Sequence, residues 1–420
     1  MINETITAAL LLFASFQFVL IFGEISSTDT AQFDFAVDLI KEIAQNDEST
    51  ISSPASISTA LFMLYLAADG ETKQKLSEIL GRNARKTQIQ EYYGKLLASS
   101  DGTKSKSYML NIANRLYVPK EFSIKPSIPH IFQFYFGETL HRFNDGRSGQ
   151  LIKGINRWAS KNTNNRIVDL METTKINSQK TKMLLLNTIH FEAVWRKPFF
   201  TDKTQNEMFQ VSKSKKIMRL HRLQMPMMQL NAVLKYYEDK FVQVVKLPYV
   251  GDKVEMVIIL PKARSGLYKV REEMTGRDLR RYIENAVPTK VELKLPKFEL
   301  QQKLDLEDVL KKIGITYIFS KKANFNALSD NSVSINNIIH KTSFGVNEKG
   351  TESTKETGFN SPSFIFPYST VFNANHPFLF FVIRKSQDVL FAGECCKKTN
   401  EHISFTNDSK NSLYQTLFLI

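Results

Sequence analysis

In the run "VEMVIILP" (residues 254–261), Glu255 is the only polar side chain. A strand of that composition has no face to offer to water, so it reads as buried on both sides. Pro261 ends it, because proline lacks the N–H that another ladder position needs. "KMLLLNTIHFEAVW" (182–195) is a longer β-like run, "VELKLPKFEL" (291–300) alternates, and "SVSINNIIHKTSFGVNE" (332–348) adds a further strand candidate. Helix signals lie earlier. "AQFDFAVDLIKEIAQN" (31–46) carries two apolar stripes at helical spacing, Phe35, Leu39, Ile43 and Phe33, Ala36, Ile40. "SISTALFMLYLAA" (56–68), with "SSP" before it as a start signal, is apolar nearly all round and predicts a buried helix. "LIKGINRWASKNT" (151–163) repeats at Ile152, Ile155 and Trp158. Helices first and strands throughout predict an α+β chain with a substantial sheet.

Disulfides cannot hold such a fold. The only cysteines, Cys395 and Cys396, are adjacent, and neighbouring cysteines rarely satisfy disulfide geometry with each other. The core must do the work, and 420 residues at 42% hydrophobic supply one. The pair reads as half-buried at a strand end; a free thiol and an intermolecular bridge are the other readings. The apolar run "AALLLFASFQFVLIFG" (8–23), followed by "EISSTDT", reads as a secretory signal cleaved near Gly23 to Ser27. An uncleaved anchor is the alternative. A removed signal (residues 1–27) predicts a secreted, extracellular chain with no membrane association.

The net charge of +14 calls for an anionic partner or a solvated basic face. No zinc-finger spacing, basic-zipper heptad or aromatic RNA-binding motif occurs, so nucleic acid is not expected. For a secreted chain a sulfated glycosaminoglycan is the natural polyanion. The densest cluster, "KSKKIMRLHR", holds Lys213, Lys215, Lys216, Arg219 and Arg222, and reads either as such a site or as a charged loop. Catalytic motifs are missing. The seven histidines are scattered outside metal-ligand spacings, and the glycines form no phosphate-binding loop. "GRSG" at 146–149 is one residue short of a nucleophile elbow. No enzyme activity, metal or cofactor is expected.

One segment asks for a separate explanation. "FGVNEKGTESTKETGFNSPSFIFPYSTVF" (344–372) begins as a strand, loses its apolar residues over about a dozen positions and then turns aromatic. The blocks "SSPASISTAL" (52–61), "LLNTIHFEAVWRKPF" (185–199), "LPYVGDKVEMVIILP" (247–261), "LKKIGITYIF" (310–319), "FGVNEKGTE" (344–352) and "FNANHPFLFFVI" (372–383) resemble the serpin family, in the family's order. The resemblance runs from about residue 31 to about Glu394.

That resemblance implies a single α+β domain over residues 28–396, with three β-sheets and eight to nine helices. It implies a reactive-centre loop at about 348–371, displayed as bait to a serine protease. Once cut, the loop enters the largest sheet as a new strand and carries the acylated protease with it. Such a trap needs a native state held by a kinetic barrier. The target serine protease is the partner it implies, held in a covalent acyl complex; a monomer is the default expectation for the chain itself.

Side chains of an inserted strand alternate between faces. Thr351, Ser353 and Lys355 share the face that turns inward in the family, where inhibitory members carry small residues. Lys355 is the misfit, because burying an unpaired ammonium costs several kcal/mol, about 3 or more, unless its stem lets the head escape. Gly350 followed by Thr351 fits the inhibitory hinge, with Glu348 just before it. Counting from Gly350 puts the scissile bond at Phe364–Ile365; counting back from Pro377 puts it at Phe366–Pro367, a poor substrate bond. Both registers offer an aromatic side chain, and hence a chymotrypsin-like target. A non-inhibitory serpin, acting as carrier, storage protein or mere substrate, is the alternative that Lys355 raises. Ser53, Ser56, Asn187 and His340 match the family's buried polar network where the strands part. Glu348 and Lys297 match an ion pair at that opening, and Trp195 the aromatic packed there. Residues 397–420 extend past the family's usual end and carry the sequon at Asn407.

Overall fold

The computed structural model describes residues 27–396, apart from 45–47, 83, 101–106, 144–147, 173–182, 212–221, 332–333, 336, 352–368 and 385–386. Among the described residues the chain forms nine α-helices and fifteen strands. The strands up to the middle of the chain are β1 (Thr50–Ser52), β2 (Tyr108–Pro119), β3 (His141–Phe143), β4 (Leu184–Val194), β5 (Gln205–Gln210), β6 (Arg222–Glu238), β7 (Val242–Pro248) and β8 (Val254–Pro261). The rest are β9 (Val287–Pro296), β10 (Phe298–Asp305), β11 (Asn337–Val346), β12 (Gly350–Thr351), β13 (Thr370–Asn373), β14 (Phe378–Arg384) and β15 (Asp388–Cys395).

One sheet runs β10-β11-β12-β4-β2-β3; the other runs β1-β15-β14-β8-β7-β6-β9-β13, with β5 also on β6. Backbone pairing thus traces the three expected sheets as two. The reason is the 17-residue β6. It pairs with β5 over 222–227, with β9 over 227–236 and with β7 over 235–238, splicing two sheets into one hydrogen-bonded path. The expected strand 291–300 is likewise two strands. It breaks at Pro296-Lys297, so that β9 serves one sheet and β10 the other. The reading of helices first is too simple: helices Leu267–Glu273, Gly276–Glu284 and Leu306–Lys312 are late.

Helix Pro54–Ala67 lies between the two sheets, with every residue buried. Ser53 caps it by accepting from Ser56 N, and Pro54 opens it where a missing N–H costs nothing. Helix Ser27–Ile43 uses both of its stripes. Phe35 and Leu39 enter the core between the sheets, whereas Phe33, Ala36 and Ile40 enter a second core with Val257, Ile259, Leu379 and Phe381. Helix Ser148–Asn162 covers the outer face of the six-stranded sheet, where Ile152, Ile155 and Trp158 meet Leu184, Leu186 and Ile339. Two polar ties fasten it. Asn111 Nδ2 donates to Asn162 O at 2.8 Å, and Trp158 Nε1 donates at 3.0 Å to Glu138, which also receives Arg115 at 2.6 and 2.7 Å. Cys395 and Cys396 are both fully buried rather than half-buried, and they point into different cores because strand side chains alternate. No helix among the described residues is long and apolar enough to cross a membrane.

Candidate functional site

β4 and β11 run parallel and pair over Leu184–Ile189 with Asn337–Thr342. Beyond Ile189 and Thr342 they separate, and Gly350–Thr351 sits between them, antiparallel to both. Gly350 pairs with Val194, and Thr351 with Ala193 on one side and Val346 on the other. Only glycine fits at 350, since an added Cβ would overlap the Ala193 carbonyl oxygen. The approach is set by an Asn turn: Asn347 Oδ1 accepts from Lys349 N at 2.9 Å and Gly350 N at 3.0 Å. Trp195, just past the end of β4, reads the same turn, donating from Nε1 to Asn347 O and from its backbone N to Lys349 O, both at 2.9 Å.

Thr351 is fully buried, with its hydroxyl 2.6 Å from Tyr249 Oη. Tyr249 stacks on Trp195 at 4.3 Å between ring centroids. Removing the hydroxyl in Tyr249→Phe strands Thr351 Oγ1 and is expected to lower stability by about 1 kcal/mol, read as an earlier denaturant midpoint. Glu348 accepts from Lys297 Nζ at 3.0 Å and Thr204 Oγ1 at 2.9 Å. Burial opposes its ionisation, but hydrogen bonds from its own backbone, Lys297 and Thr204 outweigh that and hold its carboxyl below the usual range.

Where the two strands still pair, a buried polar chain crosses beneath them. Asn187 Oδ1 accepts from Ser56 Oγ at 2.9 Å and lies 2.5 Å from His340 Nδ1. Asn187 Nδ2 donates to Ser56 O at 3.0 Å and to Asn114 Oδ1 at 2.6 Å; Asn114 Nδ2 continues to Thr59 Oγ1 at 2.9 Å. Ser53 N donates to His340 Nε2 at 3.2 Å, so the ring proton sits on Nδ1 and is given to Asn187. Ser53 Oγ donates to Leu390 O at 2.6 Å, which carries the chain into the other sheet. Burial depresses the His340 pKa to about 3, and the neutral ring is what this geometry uses. Two hydroxyls on the seam, Thr188 Oγ1 and Thr342 Oγ1, are buried without a partner.

A family model described as serpin (serine protease inhibitor) matches residues 30–398. The chain belongs to the serpin family. Leukocyte elastase inhibitor of Xenopus tropicalis is 32% identical to this serpin over 86% of this chain and 96% of its own. Serpin B6 of Pongo abelii is 30% identical over the same shares. Among solved structures, human thyroxine-binding globulin with thyroxine superposes at a TM-score of 0.79, with 25% identity, over 90% of this chain and all of the other.

The serpin seam brings Ser53, Ser56, Asn187 and His340 into one network, and gathers Glu348, Lys297, Trp195, Gly350 and Thr351 at the opening. Ser353, Lys355, Phe364, Ile365, Lys213, Lys215, Lys216, Arg219 and Asn407 lie outside the described residues. Arg222 begins β6. Sequence reasoning missed Tyr249, Thr204, Asn347 and Asn114. Tyr249 sits inside a quoted block, "LPYVGDKV", but nothing in its spacing marks a partner about a hundred positions downstream. Asn347 was findable, because Asn-Glu-Lys-Gly, with Asn first and Gly fourth, is a turn signal. No group of three or more His, Cys, Asp or Glu that could hold a metal is found among the described residues.

Proposed function

We propose that this serpin is a secreted suicide-substrate inhibitor of a chymotrypsin-like serine protease, made by removal of residues 1–27 and acting as a monomer through a loop at 348–371. The observation that supports inhibition is the register of β12. Thr351 faces Ala193 and Val346, and His340 faces Asn187, so an antiparallel strand continued from Thr351 keeps one register against both neighbours. Ser353 would fall between Phe191 and Phe344, Lys355 between Ile189 and Thr342, and Thr357 between Asn187 and His340. Six parallel pairings would give way to antiparallel ones, which are somewhat stronger per residue.

Lys355 then has a place. Once inserted it would stand beside Thr342, whose buried hydroxyl lacks a partner in the intact molecule and could accept from the ammonium. The residue is a cost to insertion rather than a bar. Phe364–Ile365 is the bond offered, with Phe366–Pro367 as the second register, and Lys213, Lys215, Lys216, Arg219 and Arg222 are offered to a sulfated glycosaminoglycan. Any N-glycan is carried at Asn407 on the extension 397–420.

Mixing with chymotrypsin tests the reading on a denaturing gel. A band at the summed mass of the two proteins is expected, and N-terminal sequencing of the small released fragment identifies the cut bond. Clean conversion to a shortened chain with no such band would instead make the protein a carrier or plain substrate.

A further inference from the structure

β13 pairs with β9 along one edge, and its second edge faces the ends of β7 and β8 across a cleft of about 420 Å³. Ala374 N, just past β13, donates to Lys294 O on β9, so by alternation the main chain of Val371 and Asn373 points into the cleft. Gln243 of β7 crosses to this edge, donating from Nε2 to Val371 O at 3.2 Å. Leu260, Pro261 and Val371 give the cleft an apolar wall, and Val371 is 60% exposed.

Among the described residues no acid lines this cleft, whereas two cations, Lys262 and Arg264, do. Lys262 is engaged by Glu238 at 2.7 Å. Arg264 has no such partner: its Nη1 reaches the Gln210 amide oxygen at 3.3 Å, and no carboxylate among the described residues pairs with it. His376, on the same wall, donates from Nε2 to Pro261 O at 2.7 Å; against that bond its pKa is lowered first by burial and then by the Arg264 charge. The guanidinium therefore stands close to the cleft. Asn373 is a second pointer. Its Oδ1 is enclosed and accepts no hydrogen bond, which native proteins rarely tolerate without a reason. The Nδ2 arm of the same amide has no acceptor within the protein and is the arm left for the cleft.

We propose that the cleft between β13 and the ends of β7 and β8 binds a small organic carboxylate. Arg264 holds the carboxylate through charge-assisted hydrogen bonds, which are about twice as strong as neutral ones. Asn373 Nδ2 is a further donor, and the apolar body of the ligand lies on Leu260, Pro261 and Val371. Donors and an uncompensated cation select an anion, and the apolar wall selects one that carries a hydrocarbon body rather than an inorganic ion. A cleft of this size is at the lower end for ligand sites, with room for one ring and a short acid chain. Such binding needs neither a cut loop nor a protease, so it stands or falls separately from the inhibitory reading.

Hydrocinnamate, titrated against the intact protein in low-salt buffer and followed through its own NMR signals, tests this. Saturable binding is expected, with a Kd of about 1 mM or tighter. Hydrocinnamamide, the neutral analogue, should bind about tenfold more weakly or worse. Arg264→Gln should weaken the carboxylate by about tenfold and leave the amide unchanged. Val371→Glu, which sets an acid on the wall, should abolish carboxylate binding. Lys262→Gln, whose ammonium belongs to Glu238, should change the affinity by less than about threefold. All three positions are exposed, so each variant should keep the wild-type denaturant midpoint, measured alongside. No saturable binding to wild type, equal affinity for acid and amide, or wild-type affinity in Arg264→Gln would each overturn the assignment.

Discussion

On the proposed inhibitory reading, Gly350→Ala is expected to turn the protein into a substrate: the loop would still be cut, but the covalent band would fall by about tenfold or more. The added methyl meets the Ala193 carbonyl oxygen, a backbone atom that cannot rotate away. Forcing such a group into a packed site costs about 1–3 kcal/mol, and each 1.4 kcal/mol is tenfold in a rate ratio. Relief comes by lifting Gly350–Thr351 out from between β4 and β11. The Thr351–Tyr249 contact is then lost, and the first step of strand entry must be made afresh while hydrolysis of the acyl-enzyme competes. The fluorescence of Trp195, which donates to Asn347 and Lys349 in the same turn, reports the displacement directly. Undiminished complex with unchanged emission would show that the wedge plays no part in trapping.

Acid weakens the intact fold through His340. Its folded pKa is depressed to about 3 by burial, against 6.5 when unfolded. The contribution is therefore complete above pH 6.5 and is lost as pH falls toward 3, because the unfolded chain binds a proton that the folded one refuses. At pH 5 the loss is about 2 kcal/mol. Denaturant midpoints of wild type and His340→Gln, compared between pH 7 and pH 5, check this. The variant should start lower, having lost its bonds to Asn187 and Ser53, and should show the shallower slope. Parallel slopes would remove His340 as the origin of the acid sensitivity.

Much of this molecule was legible from side-chain periodicity, and the exceptions have identifiable causes. Two stripes on helix Ser27–Ile43 were visible, and each proves to face its own core. Helix Pro54–Ala67 and strand β8 followed from runs without a polar face. The break at Pro296-Lys297 was masked by alternation that continues through it, and only the divergence of the two sheets makes it real. Splicing through β6 is invisible locally because its pairings with β5 and β7 read as ordinary neighbouring hairpins, while β9, which pairs along its middle, lies well downstream. At the seam, the polar residues could be named from the family's pattern, but the Tyr249–Thr351 contact depends on a meeting of distant segments. Lys355 is the misfit of the hinge by composition; on the proposed insertion the register of Thr351 would set it beside Thr342, whose hydroxyl has a spare lone pair.

Cys395 and Cys396 face opposite interiors, fully enclosed, and burial raises the Cys395 thiol above its ordinary pKa. Neither sulfur is presented to an oxidant or to another chain while the protein stays folded. Thiol reagents should therefore serve as a clock for opening: labelling at these positions, or a dimer that dissolves in reductant, registers molecules that have already come apart.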